Sequence, residues 1–206
     1  MLSNITEKDG RRLRPWETAA LLALCLALLW GSWAQARQER IAAGLIRLHV
    51  LAASDAPEEQ ALKLRVRDAV LSAAEPALAG AGDVAEARAL LEAALPAISR
   101  AAESAGEGRP VRVELGMEDY PLRDYEDFAL PAGRYLSLRV ILGEGQGHNW
   151  WCVVFPPLCL EVAEEREADL QRAIGPEDSA LVLRREGCAL RFKLVELWGE
   201  LKAALR

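Results

Sequence analysis

His148 stands four residues before Cys152, and His49 is the only other histidine in the chain. A thiol nucleophile needs a base within hydrogen-bond reach and a third group to orient that base. Strand positions four apart share a face but stand about 13 Å apart, so a Cys152-dependent hydrolase requires a bend, or His49 brought in from elsewhere. Cys152 and Cys159 bracket Val-Val-Phe-Pro-Pro-Leu, whose two prolines can turn the chain until the sulfurs meet. Such a closed loop stabilises by roughly 2.5 kcal/mol, and an oxidised Cys152 attacks nothing. A pair of reduced, buried thiols is the plainer alternative, and Cys188 competes for either sulfur. The chain carries no HExxH or CxxC spacing, so neither a metal nor a cofactor is expected.

Gly143-x-Gly145-x-Gly147 invites a phosphate-loop reading, because glycine lets backbone N–H groups approach an anion at a helix start. The context fails, since β-branched and aromatic residues follow from Trp150 to Phe155 and read as a strand. A flexible hairpin loop is expected instead. Trp150, Trp151, Phe155, Pro156 and Pro157 concentrate bulky apolar surface. Alternation sends Trp150 and Trp151 to opposite faces, so at least one is core and the other is free to anchor a partner.

The elements that position these residues follow from periodicity. Residues 45–51 alternate as a strand. Asp55, Pro57 and Glu58 then read as N-cap, first turn and capping box of a helix whose stripe is Leu62, Val66, Ala69, Val70 and Ala73. Gly80-Ala81-Gly82 ends it, and Asp83 to Glu86 repeats the box for a second helix, with Pro96 predicting a kink or break. Residues 111–115 and 135–142 read as strands, with an extended segment over 125–130 and a turn at Ala132-Gly133. After Cys159 the chain turns acidic, as in a solvated helix, residues 181–183 suggest a short strand, and Leu194, Leu197, Trp198 and Leu201 suggest a terminal helix. The fold expected is α+β: a helical hairpin packed on a small, mostly antiparallel sheet, a meander of successive strands, with a C-terminal helix.

The first 36 residues stand apart. Arg11, Arg12 and Arg14 precede an uncharged run over 18–36, closed by Ala34-Gln35-Ala36. That is the layout of a secretory signal cleaved after Ala36. A membrane anchor competes, although residues 19–34 span only about 24 Å as a helix against about 30 Å of hydrocarbon. Either way the arginines stay inside and the body, residues 37–206, crosses the membrane, so a membrane is met only through the N-terminal segment. Residues 37–44 read as a polar or weakly helical spacer. The whole chain carries 25 basic against 31 acidic residues, a net charge of -6. A duplex-binding surface needs several bases on one face, so nucleic acid is not an expected partner.

Several segments together resemble one family. They are Ile46-Arg47-Leu48-His49-Val50-Leu51-Ala52-Ala53-Ser54-Asp55, the stretch Gln60 to Val70, Leu130-Pro131-Ala132-Gly133-x-Tyr135, Gly143-Glu144-Gly145-x-Gly147-x-Asn149-Trp150-Trp151-Cys152-Val153-x-Phe155-Pro156-Pro157-Leu158-Cys159, and Phe192 to Leu197. Over about residues 46–201 the chain resembles the stage II sporulation protein R family of endospore-forming bacteria. Ala53 departs from the pattern, standing where the family often carries Asn. The resemblance implies a signalling protein with no catalytic residues to carry over. By that resemblance it would be made in the forespore and exported into the space between the two compartments. There it would be required, as family members are, to activate a membrane-embedded aspartic protease of the mother cell, stage II sporulation protein GA, which cleaves the sigma-E precursor. As a ligand it would engage that receptor through the aromatic patch from Trp150 to Pro157, or through the polar cluster of Ser54, Asp55, Arg67 and Asp68.

Overall fold

The computed structural model describes residues 14–125, 128–158 and 163–183. The expected terminal helix, Cys159 and Cys188 lie outside the described residues.

Helix α1, Pro15–Ala43, leads through Gly44 into strand β1, Ile46–Leu51. Helices α2, Pro57–Leu78, and α3, Val84–Ala105, form the hairpin read from the sequence. α3 starts as expected, with Asp83 accepting from the Glu86 N–H at 2.8 Å. It runs on through Pro96, which stands on the exposed side of the helix. There the carbonyl that proline leaves without a donor faces water, and the buried Leu91 and Ile98 on the other side hold the helix together.

Strands β2, Val111–Tyr120, β5, Gly133–Leu142, and β6, Asn149–Phe155, complete a four-stranded sheet with β1. β3, Arg123–Asp124, and β4, Ala129–Leu130, pair separately. The fold is α+β, but the sheet is not a meander. Its order is β2-β5-β1-β6, so β1 is inserted between β5 and β6, parallel to the first and antiparallel to the second. The reason is burial. β1 is covered on both faces, and a strand so covered belongs in the middle of a sheet.

One face carries Ile46, Leu48, Val50, Leu138, Val140, Cys152 and Val154 against the inner sides of α2 and α3. The other carries Tyr120, Tyr135 and Val153 together with Ile41, Ala42, Leu45, Leu130, Leu170 and Val182. Residues 37–44 are thus no spacer, since the last turns of α1 are part of the second core. Helix α4, Ala163–Ile174, takes up the acidic stretch, and α5, Pro176–Leu183, is a helix where a strand was expected at 181–183. Three apolar residues in a row fit either state, and Pro176 in the first turn of α5 decides for helix.

Candidate partner-binding site

At the far end of the sheet from α1, the turn after β1, the start of α2 and the loop between β5 and β6 meet. Gly147 donates its N–H to the Ala52 carbonyl at 2.9 Å. A Cβ there would lie 2.3 Å from the Ser54 carbonyl oxygen, so only glycine permits the approach. His148 donates through its backbone N–H and its ring Nδ1 to the same Asp55 oxygen, at 2.6 and 2.5 Å. The Lys63 ammonium, almost fully buried, donates to the His148 carbonyl at 2.9 Å and to Gln60 Oε1 at 2.6 Å. Gln60 donates in turn to the Ser54 carbonyl at 2.8 Å. Burial pulls the Lys63 pKa below the ordinary lysine value, against the attraction of Asp55 and with the repulsion of Arg67.

Asp55 is therefore not the N-cap of α2. That position is Ala56, without a side-chain cap, while Pro57 takes the first helical position as expected. The Asp55 side chain is turned toward a loop 93 residues away, and the N-cap stands one residue later than expected. The loop is also no hairpin, because β1 separates the strands it joins, and it is fastened at Ala52, Asp55 and Lys63.

Trp150 follows this loop on the edge strand. It is 38% exposed, and the Arg67 guanidinium lies over its ring at 4.4 Å. Arg67 also pairs with Asp68 at 2.7 Å. The structure thus gathers Ser54, Asp55, Arg67, Asp68 and Trp150 with Lys63 and His148 into one exposed corner.

The rest of the aromatic stretch lies elsewhere. Trp151 points to the opposite face, beside His49 and under Arg123, whose guanidinium is 3.5 Å from the ring centre. Phe155 is buried in the core, and the Phe155–Pro156 bond is cis. Phe155, Pro156 and Pro157 line a cavity of about 480 Å³ together with Leu71, Leu78 and Arg172. Trp150 to Pro157 is accordingly not one continuous surface.

Cys152 is buried on the face toward α2 and α3 and is disulfide-bonded. Cys159 and Cys188 lie outside the described residues, so the Cys152–Cys159 pairing stays a proposal. A bonded sulfur is no nucleophile. Among the described residues, no group of three or more His, Cys, Asp or Glu could hold a metal ion.

Sequence reasoning missed a second polar layer. On the face of β1 away from α2, Arg47 is fully buried among Tyr120, Tyr125 and Tyr135, with ring centres at 3.9, 5.9 and 4.9 Å. Its Nη2 donates to the Tyr125 hydroxyl at 2.6 Å. Beside it His49 Nδ1 donates to Glu118 Oε1 at 2.9 Å, and Ser137 donates to Glu118 Oε2 at 2.8 Å. Burial would raise the Glu118 pKa, but these donors and the Arg139 charge win and lower it. Burial raises the phenols of Tyr120 and Tyr135 far above their usual range. The signal was the alternation of Arg47 and His49 with Ile46, Leu48 and Val50, which marks a second face without saying that it is covered.

Comparison with known proteins places these elements. A family profile described as stage II sporulation protein R matches residues 42–165. The chain is 37% identical over 118 residues to "Stage II sporulation protein R" of Bacillus subtilis (strain 168), a match covering 55% of this chain and 53% of that protein. It thus spans about half the length of the relative. No solved structure matches the chain. The profile covers more than half of the chain and takes in all four strands of the main sheet, the hairpin and the fastened loop, and by that match the chain belongs to the stage II sporulation protein R family.

Proposed function

We propose that this chain is the exported signal of endospore formation. It leaves the forespore and engages the membrane-embedded aspartic protease of the mother cell, stage II sporulation protein GA, so that the sigma-E precursor is processed. Membership of the family supports a role in sporulation. The apolar helix near the N-terminus is compatible with export as a signal peptide or anchor. The observation that carries the ligand reading is the corner at Trp150, where segments scattered through the sequence are fastened together around an exposed tryptophan and the half-buried arginine stacked on it. Such a pair is the usual composition of an interface hot spot. The Cys152–Cys159 pairing serves this role by holding the end of β6, not by supplying a nucleophile.

The test is reconstitution in a cell that does not sporulate, producing the protease, the sigma-E precursor and this chain. Processing is expected with the full chain and not with a form lacking residues 1–36 that stays in the cytosol. Equal processing by the cytosolic form would overturn the proposal.

A further inference from the structure

Residues 18–36 carry no charge and as a helix span about 28 Å, close to the thickness of a hydrocarbon core. Within α1 they are mostly exposed, with only Gly31 and Ala34 buried among the described residues. Leu22, Leu26 and Leu29 are about two-thirds exposed, and by length and composition this helix could cross a membrane. Trp16 stands at one end of the run and Trp30 and Trp33 at the other, the places of interfacial aromatic belts, with Arg14 before and Arg37 and Arg40 beyond.

A leader need not be joined stiffly to the domain behind it, but this one is. α1 continues without interruption to Ala43, where Ile41, Ala42 and Leu45 are buried in the second core. Arg37 Nε donates to Asp178 Oδ1 at 2.5 Å, its Nη2 donates to the Glu177 carbonyl at 2.8 Å, and its guanidinium lies over Trp33. Arg40 approaches the second oxygen of Asp178 at 3.9 Å. Near a bilayer surface, with fewer waters to screen it, such a pair gains strength.

We infer that α1 spans the bilayer and that the Arg37–Asp178 clasp seats the domain on the lipid surface as one rigid body, with the Trp150 corner turned away from the membrane. The strand directions put that corner at the end of the sheet opposite the junction with α1. β1 leaves the helix at Ile46 and reaches Leu51 about 17 Å further on. β5 runs parallel to it, so the turn at Ser54 and Asp55 and the loop at 143–148 both lie at the remote end. β6 returns, bringing Phe155 back beside Ile46. The partner is the bilayer itself, so the inference goes beyond the receptor reading and its failure would leave that reading standing.

The test uses the full chain in phosphatidylcholine–phosphatidylglycerol vesicles, with a donor fluorophore introduced by non-canonical amino acid at Glu144 or at Arg134 and acceptors on lipid headgroups. Transfer is expected to be several-fold weaker from position 144 than from 134. With Asp178→Asn, folded by circular dichroism, the two values should converge as the domain swings. Equal transfer from both positions in the unmodified chain, or an exported protein that begins at Arg37 and is washed off membranes by salt, would overturn the inference.

Discussion

His148 and Asp55 are joined by two hydrogen bonds to one carboxylate oxygen, at 2.6 and 2.5 Å, across 93 residues of sequence. Both side chains are more than half exposed, so the pair contributes little to global stability and acts on the shape of the loop. Asp55→Ala should cost no more than about 1 kcal/mol in urea unfolding. The amide of His148 should nevertheless lose its protection from hydrogen exchange. Unchanged protection would mean that Lys63 and Gly147 hold the loop without Asp55.

Gly147 tests the same loop from its tightest contact. Gly147→Ala forces either the Ser54 carbonyl or the loop to move. It should destabilise by about 2 kcal/mol or more, as steric overpacking does. Gly80→Ala, with nothing within 4 Å of the added methyl, should be neutral or stabilise by about 0.4–1 kcal/mol. In thermal melts the Gly147 variant should therefore unfold below the parent, and the Gly80 variant at or above it.

Acid should weaken the fold through Glu118. Burial opposes its charge, but the hydrogen bonds from Ser137 and His49 and the charges of His49 and Arg139 lower its pKa in the folded state. A depressed carboxyl contributes stability that is present above the unfolded value, about 4.3, and is lost as pH falls through the folded one. Urea midpoints taken from pH 6 down to pH 3 should therefore drop more steeply for the parent than for Glu118→Gln. Parallel curves would remove Glu118 as a source of acid sensitivity.

The elements near in sequence were legible, and their arrangement was not. The strand at 45–51, the hairpin and the Asp83 cap all follow from local spacing. β1 sits between β5 and β6 because its polar residues are also buried, and alternation alone does not distinguish a covered polar face from a solvated one. Asp55 followed by Pro57 and Glu58 is a fair cap signal, yet the acid is taken by a histidine 93 positions away. The aromatic stretch was divided correctly between faces at Trp150 and Trp151. That Phe155 joins Cys152 and Val154 in the core against α2 and α3 goes with the bulge near Ile46, where the β1–β6 register shifts, and no pattern in one strand announces a shift in its pairing.

Arg47 separates charge from shape. It is fully buried, and its Nε and Nη1 atoms have no hydrogen-bond partner. Its planar guanidinium is accommodated by stacking on Tyr120 and Tyr135. Arg47→Lys places a compact, strongly hydrated ammonium in the same cage and should destabilise more than Arg47→Met, which removes the buried charge. The order of the two melting temperatures checks this, and a lysine variant more stable than the methionine variant would refute it.

The receptor surface is tested most directly at Trp150, because its exposed ring can be removed without opening the core. Phe155→Ala would cost about 3–5 kcal/mol as a core truncation, so its loss of signal would say nothing about contact. Trp150→Ala should be exported in normal amount and keep the parent melting temperature within a few degrees. In sporulating cells, immunoblots for the sigma-E precursor are the decisive measurement: with Trp150→Ala the precursor should stay unprocessed, and processing at the parent rate would rule out this corner as the receptor contact.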